Sequence, residues 1–170
     1  MDVCMPADIT IEPFSQRYAV QIFELILPIQ IKEFGIRITR QDQPDLTKIS
    51  EFYQEGNGNF WVAVAHQNVV VGSIGLKDIG NRQLALRKMF VHKSHRGSDN
   101  GGIAQRLLET AIHWARDHKI TDIFLGTTAE FFAAHRFYEK NEFTKIEKED
   151  LPPSFPVMAV DTKFYQYRFG

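Results

Sequence analysis

Hydrophobic and polar residues alternate along the first half of the chain in a pattern that predicts strands and helices in turn. Residues 9–12 alternate with a period of two, as in a half-buried strand. Apolar residues three and four apart at 18–29 predict a helix that ends or kinks at its single proline. The same spacing predicts a shorter helix at 45–53. Two apolar runs then flank a polar triplet, which predicts a hairpin of strands 60–65 and 69–74.

The second half begins with a strand at 83–91, in which the apolar phase flips at Arg87 and Lys88. A β-bulge would explain that flip. The elements that we expect after it are an amphipathic helix behind Gly102, a buried parallel strand at 122–126, a helix at 129–140, a strand at 143–147, a turn-rich segment at 151–156 and a long strand at 157–169. The order β-α-α-β-β-β-α-β-α-β-β predicts an α/β fold of the α+β type, with a central mixed β-sheet flanked by helices.

Composition restricts the class of protein further. A chain of 170 residues suits one domain, here residues 1–170, and its net charge of -1 argues against nucleic acid as a partner. No apolar run approaches the roughly 20 residues of a membrane span, so we expect no membrane partner. The first residues lack the pattern of a secretory signal and Cys4 is the only cysteine, which together favour a cytoplasmic location. The histidine spacing predicts no metal site.

The loop between the third strand and the next helix carries candidate chemistry. From residue 79 to residue 98 there is no Asp or Glu, but there are five basic residues: Arg82, Arg87, Lys88, Lys93 and Arg96. Asp99 or Asn100 could cap the helix, and nearby glycines would let backbone N–H groups approach an anion such as a phosphate. The same features also describe an ordinary strand, basic turn and capped helix, and the loop matches neither the P-loop nor the dinucleotide fingerprint.

Two motifs resemble the GNAT superfamily of acyl-CoA-dependent N-acetyltransferases. Residues 91–108 (VHKSHRGSDNGGIAQRLL) are similar to the pyrophosphate loop of that family, which opens into a helix. Residues 134–143 (AHRFYEKNEF) are similar to its Ala-x-x-x-Tyr-x-Lys-x-Gly-Phe segment. The order of the predicted elements also matches. The chain is therefore identified as a GNAT-like domain over nearly its whole length.

The resemblance implies a role for each matching position, with acetyl-CoA as co-substrate. The pantetheine arm would pair with the strand backbone of Met89, Phe90 and Val91. The pyrophosphate would be held by N–H groups of the loop and helix start, namely Arg96, Gly97, Gly101, Gly102, Ile103 and Ala104. The thiol end would be lined by Phe131, Ala134 and Phe137. Tyr138 would be the general acid that protonates the departing CoA thiolate, although a helix tyrosine can equally be packed in the core with its hydroxyl satisfied.

The resemblance is incomplete in ways that matter for mechanism. The loop before Gly102 is three residues longer than the family pattern, and Phe131 and Glu142 stand where many members have Asn and Gly. The strand that supplies a carboxylate base in some members has none here. The candidates that remain open as the base are Asp78, Glu33, His92 and a chain of water molecules.

The acceptor would enter, by the same resemblance, between residues 31–43 and 151–158. The side chains that could form an apolar mouth there are Phe34, Ile36, Phe155 and Met158. Arg37 and Arg40 favour an acceptor with a carboxylate, although exposed arginines are usually only solvated.

The sequence thus predicts an enzyme that moves an acetyl group from acetyl-CoA to a primary amine of a small molecule or peptide, by direct attack in a ternary complex. A non-catalytic acyl-CoA-binding sensor or regulatory module is the main alternative, and a nucleotide-binding protein is a third. The long C-terminal strand could pair with a second copy, which would give a homodimer.

Overall fold

The computed structural model describes residues 8–97, 102–128 and 132–170, and within these residues seven strands form one mixed sheet. The strands are β1 (Thr10–Pro13), β2 (Asn59–Ala65), β3 (Val69–Asp78), β4 (Gln83–Val91), β5 (Asp122–Thr127), β6 (Thr144–Ile146) and β7 (Lys163–Arg168). Their spatial order is β1-β2-β3-β4-β5-β7-β6. Only the β4–β5 pair is parallel, and the other pairs are antiparallel. The predicted mixed α/β architecture is therefore confirmed.

Helices cover both faces of this sheet. They are α1 (Ala19–Pro28), α2 (Pro44–Thr47), α3 (Ile49–Tyr53), α4 (Ile103–Asp117) and α5 (Phe132–Lys140), and a π-helical segment (Ile29–Glu33) extends α1. Strand β2 shows why its sequence is apolar throughout. Phe60, Val62 and Val64 pack in the cluster that contains α1 and α3, while Trp61 and Ala63 pack in the cluster that contains α4. A strand buried on both faces has no polar side to alternate with.

A β-bulge interrupts β4 where the apolar phase of the sequence flips. Ser73 of β3 lies opposite Phe90, but Gly75 lies opposite Arg87, so two residues of β4 face one residue of β3. Lys88 takes a φ of 56°, which is rare for a residue with a side chain. The hydroxyl of Ser73 donates a hydrogen bond of 2.7 Å to the Lys88 carbonyl oxygen and holds the bulge in place. The bulge predicted at Arg87 and Lys88 is confirmed.

Strands β4 and β5 diverge soon after they begin. Their parallel pairing covers only the registers from Gln83 opposite Asp122 to Ala85 opposite Phe124. Beyond Ala85, β4 remains paired with β3, and beyond Phe124, β5 remains paired with β7. The sheet therefore opens into a fork at the carboxyl ends of its two parallel strands.

Three details of the sequence prediction are wrong. The helix expected at 45–53 is two short helices, because the chain leaves helical geometry at Lys48. The N-cap of α4 is Gly102 rather than Asp99 or Asn100, which lie outside the described residues. The strand expected at 157–169 begins only at residue 163.

The early part of that predicted C-terminal strand is a turn. Met158 N donates a 3.0 Å hydrogen bond to Asp161 Oδ2, and Asp161 N donates one of 3.0 Å to the Met158 carbonyl oxygen. These two bonds close a local loop that the alternating apolar residues did not reveal. Strand β7 itself is paired on both sides, with β5 and with β6. Among the described residues it is therefore an interior strand of the sheet, whose edges are β1 and β6.

Candidate active site at the strand fork

The fork between β4 and β5 opens into a cleft of about 720 Å³. A volume of this order suits a small molecule or the arm of a cofactor. One wall is the bulged half of β4, and the other is the end of β5 together with α5. The π-helical segment after α1 and the turn before β7 close the sides. The cleft therefore lies where the two parallel strands stop pairing, which is the usual place for a ligand in an open α/β sheet.

Several of the predicted site residues meet in this cleft. They are Met89, Phe90, Val91, Arg96, Ala134 and Tyr138. Ile103, Ala104 and Phe137 lie behind it, packed in or against the hydrophobic core. Gly101 and Phe131 lie outside the described residues. The strand and the start of α5 therefore carry most of the predicted positions that line the cleft.

Tyr138 lies on α5 with its hydroxyl directed at β4. The hydroxyl is 3.8 Å from the Met89 sulfur, to which it donates. The ring packs against Phe143 and Tyr165, with ring centroids 5.5 and 6.0 Å away. Burial raises the pKa of the Tyr138 hydroxyl well above its ordinary value, so the group stays protonated at neutral pH and can act as a donor. Tyr138 therefore belongs to the hydrophobic core and also lines the cleft, and its role as the general acid stays a prediction.

The start of α4 has the features of an anion site. Its N-cap, Gly102, adopts a left-handed φ of 58°, and being a glycine it brings no side-chain acceptor to the first N–H groups. The first turn contains no acidic residue. Gly97, at the near end of the loop, also has a positive φ, of 91°. Among the described residues, no acidic side chain at this helix start offsets its partial positive charge, which attracts negative groups.

Arg96 ties this loop to the opposite wall of the cleft. Its Nε donates 2.8 Å to the Val91 carbonyl oxygen, and its two terminal nitrogens donate 2.7 and 3.1 Å to the carboxylate of Glu33. Such a two-point contact fixes geometry as well as charge. Arg96 therefore holds the end of β4 against the π-helical segment. Glu33, one of the sequence candidates for the base, is engaged as its partner.

A cluster of buried polar side chains packs around Lys88 at the bulge of β4. Lys88 Nζ donates 2.6 Å to Gln43 Oε1 and lies 3.8 Å from Asp45 Oδ2. The Tyr53 hydroxyl donates 2.6 Å to the same Asp45 oxygen, and the amides of Gln30 and Gln43 bond to each other at 3.0 and 2.9 Å. Burial lowers the pKa of Lys88 to about 8 against the opposing effect of Asp45. The positive segment of the sequence is thus partly neutralised inside the fold.

The other proposed bases do not line the cleft. Asp78 accepts hydrogen bonds from the backbone N–H groups of Asn57, at 2.9 Å, and Gly80, at 2.8 Å, so it organises turns. His92 Nδ1 accepts a 3.2 Å bond from Ser94 N at the start of the loop. Asp161, which the sequence placed inside a strand, does line the cleft, and burial raises the pKa of its carboxyl. No local pattern marks Asp161, because its position depends on the turn before β7.

The residues expected at the acceptor mouth lie in different places, and the mouth itself stays a prediction. Phe34 and Ile36 line the cleft. Phe155 does not, since it is buried with Phe124 and Phe164 on the far side of β5. The guanidinium of Arg40 lies 4.3 Å from the centre of the Phe23 ring, and neither Arg40 nor Arg37 is among the lining residues.

In residues 8–97, 102–128 and 132–170, no group of three or more His, Cys, Asp and Glu side chains could hold a metal ion. None of the helices in these ranges combines the length and apolarity needed to cross a membrane.

Comparison with protein families gives a match over most of the chain. The model of the acetyltransferase (GNAT) family matches residues 23–143. N-acetyltransferase 8F1 of Rattus norvegicus is 32% identical over 160 residues, which are 88% of this chain and 70% of that protein. The N-acetylaspartate synthetase of Homo sapiens is 30% identical over 128 residues, which are 74% of this chain and 41% of that protein. The chain spans 58% of the probable N-acetyltransferase family 8 member 5 of Mus musculus and about half or less of several other relatives.

Solved structures match over nearly the full length. An acetyltransferase of the GNAT family from Staphylococcus aureus Mu50 is 40% identical, with a TM-score of 0.89 over 94% of this chain and 98% of that one. The PaiA N-acetyltransferase from Thermoplasma acidophilum, solved in complex with coenzyme A, shares the fold with a TM-score of 0.72 at 15% identity, over 95% of this chain and 99% of that one.

Proposed function

Because the chain belongs to the acetyltransferase (GNAT) family and is thereby an acetyl-CoA-dependent N-acyltransferase, we propose that it acetylates a primary amine of a small molecule or peptide. In this proposal the amine attacks acetyl-CoA directly within a ternary complex. The observation that supports it most is the fork itself. The unpaired side of β4 and the protonated hydroxyl of Tyr138 face one cleft of about 720 Å³.

The residues of the cleft fit acetyl-CoA as the acyl donor. The backbone of Met89, Phe90 and Val91 has no β5 partner, so it can pair with the amide groups of a pantetheine arm as an added strand would. The start of α4 suits the pyrophosphate. Thr128 Oγ1, in the lining, is buried without a hydrogen-bond partner among the described residues, and an amide of the arm would satisfy it.

The proposed chemistry has three steps that the protein must support. The neutral amine attacks the thioester carbonyl carbon, a C–N bond forms and negative charge develops on the carbonyl oxygen. A strand N–H near Phe90 would stabilise that charge. The C–S bond then breaks, Tyr138 donates its proton to the departing sulfur, and the proton that the attacking nitrogen loses passes through water and restores the Tyr138 hydroxyl. A donor that stays protonated at neutral pH suits this last role, and burial gives Tyr138 that property.

Tyr138→Phe tests the role of that hydroxyl. The variant keeps the ring and its packing but removes the proton donor, so kcat should fall by about 10²–10⁴-fold, the usual contribution of a positioned acid. Binding of acetyl-CoA, measured by calorimetry, should be nearly unchanged. The matched control is Tyr167→Phe, which removes a hydroxyl from a tyrosine packed against Phe143 and Phe169, away from the cleft lining.

Two results would contradict the proposal in different ways. An unchanged kcat in Tyr138→Phe would remove this residue from the chemistry. A wild type that binds acetyl-CoA but transfers the acetyl group to no amine of a broad panel would favour the non-catalytic acyl-CoA-binding module. Transfer is followed by mass spectrometry of the acetylated product, which distinguishes it from hydrolysis of acetyl-CoA.

We further propose that residues 1–170 form a single domain of this family and that the protein acts in the cytoplasm. The structural match over 94% of the chain supports the first statement. The supply of acetyl-CoA and the single cysteine support the second. Homodimer formation stays a prediction, to be measured by analytical ultracentrifugation.

A further inference from the structure

We propose that Arg87 and Asp161 form a two-point site for the acceptor, and that this acceptor is an α-amino acid with an apolar side chain. Its carboxylate would bind Arg87 and its ammonium group would bind Asp161. This inference rests on the proposed function, because it names the amine that receives the acetyl group.

Arg87 is a cation of the cleft that lacks an acidic partner. Of the cationic side chains that line the cleft in the described part of the chain, Lys88 is paired with Asp45 and Arg96 with Glu33. For Arg87, no carboxylate of the described residues lies within 4.0 Å. Its Nη2 donates to the Met158 sulfur at 3.7 Å, and its Cζ lies 5.6 Å from the centre of the Phe52 ring. The contacts with the Met158 sulfur and the Phe52 ring orient the guanidinium but do not neutralise its charge. A carboxylate of a bound ligand could do so.

Asp161 supplies the opposite charge within the same cleft. Its Oδ2 accepts a 3.0 Å hydrogen bond from Met158 N, and no cationic side chain among the described residues is within 4.0 Å of the carboxylate. It lies against β5 at Gly126, where a Cβ would be only 2.6 Å from Oδ2. Glycine at this position therefore lets the carboxylate enter the fork. Burial raises the pKa of the Asp161 carboxyl. The positive charge of Arg87 opposes that rise, although the two side chains do not form an ion pair.

An α-amino acid matches this arrangement because it carries one charge of each sign on neighbouring atoms. Bound between Arg87 and Asp161, it would neutralise both side chains and present its nitrogen in the fork. One proton of the ammonium group would pass to the Asp161 carboxylate, which leaves a neutral amine for the attack. A plain amine would satisfy Asp161 only. A carboxylic acid without an amino group would satisfy Arg87 only and could not be acetylated on nitrogen.

The mouth of the cleft indicates an apolar side chain on the acceptor. Phe34 and Val160 line it with 38% and 48% of their surface exposed, and Met158 beside Arg87 is 40% exposed. Large hydrophobic side chains exposed together next to a cleft usually mark a binding surface. A hydrocarbon side chain held between them would cover this surface.

Matched pairs of acceptors test the inference. The pairs are L-phenylalanine with 2-phenylethylamine and L-leucine with 3-methylbutylamine, whose members differ only by the carboxylate. The wild type should prefer the amino acid by about ten- to a hundredfold in kcat/KM, the usual range for a hydrogen-bonded charge. Arg87→Met should abolish most of this preference. The control Arg37→Met removes an arginine that does not line the cleft, and it should keep the preference.

Asp161→Asn tests the second point of contact. Asparagine can still accept from Met158 N, so the turn before β7 should survive while the negative charge is lost. The variant should lose about tenfold or more in kcat/KM for every acceptor, since each binds through its ammonium group. Binding of acetyl-CoA by calorimetry should change little in Arg87→Met and Asp161→Asn, which shows that the variants are folded and retain the cofactor site.

Three outcomes would overturn the inference. They are equal efficiency of the wild type with both members of each pair, a preference that survives in Arg87→Met, and no transfer to either amino acid by an enzyme that acetylates other amines. Each would leave the proposed function standing. A wild type that does not bind acetyl-CoA would instead contradict the proposed function, and the inference with it.

Discussion

Lys88 carries a buried ammonium group in the wall of the cleft. It occupies the bulge of β4 with a φ of 56°, and its side chain reaches Gln43 and Asp45 on and beside α2. These contacts hold the start of α2 against the strand. A buried cation with one acidic partner costs desolvation, and here this cost lowers the pKa of Lys88 to about 8. The residue therefore stabilises the geometry of the bulge more than it stabilises the fold.

The lowered pKa of Lys88 predicts a specific pH dependence of stability. Between pH 8 and pH 10 the unfolded chain binds more protons at this lysine than the folded protein does, so the free energy of unfolding should rise with pH. Relative to Lys88→Met, the wild type should gain on the order of 2 kcal/mol across this interval. Urea unfolding of both proteins at pH 8, 9 and 10 measures the difference. A difference that stays flat, or that falls as pH rises, would contradict the burial of a charged Lys88.

Residues of the site were predictable from the sequence to different degrees. Tyr138 and Met89 were found because they belong to motifs that the chain shares with a family. Lys88 was noticed through the phase flip of β4, but its partner Asp45 lies 43 residues earlier and looked like a polar position of a short helix. Asp161 and Gly126 become a pair only when the turn before β7 folds onto β5. Contacts between distant segments leave no periodic pattern in either segment.

Strand β4 is the element that makes the fork. Its first three residues pair with β5, and its remaining residues pair only with β3 on the other side. The bulge at Lys88 changes which backbone groups face β3 and which face the cleft. Backbone groups left without a strand partner at the edge of a cleft are a template for an extended ligand.

Hydrogen exchange tests whether acetyl-CoA uses this template. Adding acetyl-CoA should slow amide exchange in peptides that cover residues 86–91, because a paired pantetheine arm bonds to N–H groups that otherwise face solvent. Peptides that cover β1, at an edge of the sheet far from the fork, serve as an internal control and should not change. Equal exchange in β4 with and without acetyl-CoA would contradict a cofactor bound along this strand.

For several strands and helices, the periodic pattern of apolar residues is sufficient to predict where the element lies. Strands β2, β4 and β5 and helices α1 and α4 appear close to their predicted bounds, because each has a marked apolar pattern. Strand β3 was expected to end at residue 74 but runs to Asp78. The pattern at 157–160 is equally apolar but forms a turn, since the Asp161 side chain binds the Met158 backbone. A prediction from hydrophobicity alone therefore assigns exposed apolar residues beside a cleft to a strand.

At the scale of the whole molecule, the two larger hydrophobic clusters lie on opposite faces of one sheet, and the fork opens within that sheet. The parallel β4–β5 pair brings two carboxyl ends of strands together, and α4 begins where the loop after β4 ends. In the proposed ternary complex, donor and acceptor would approach this fork from different sides. The basic residues of segment 79–98, predicted to attract an anion, lie in more than one place. Arg87, Lys88 and Arg96 line the cleft, whereas Arg82 lies in the turn between β3 and β4.

Calorimetric titration with acetyl-CoA, with ATP as the control ligand, tests most directly whether this fork is an acyl-CoA site. The wild type should bind acetyl-CoA with micromolar affinity and ATP far more weakly. Gly102→Asp should lose that binding, because it adds a negative charge at the start of α4, where the nearest described atom to a Cβ is in ordinary contact at 3.9 Å. The control Gly80→Asp makes the same change at another glycine of positive φ, and it should bind normally. No binding by the wild type, or equal binding by Gly102→Asp, would contradict the assignment of the fork and the helix start to acetyl-CoA.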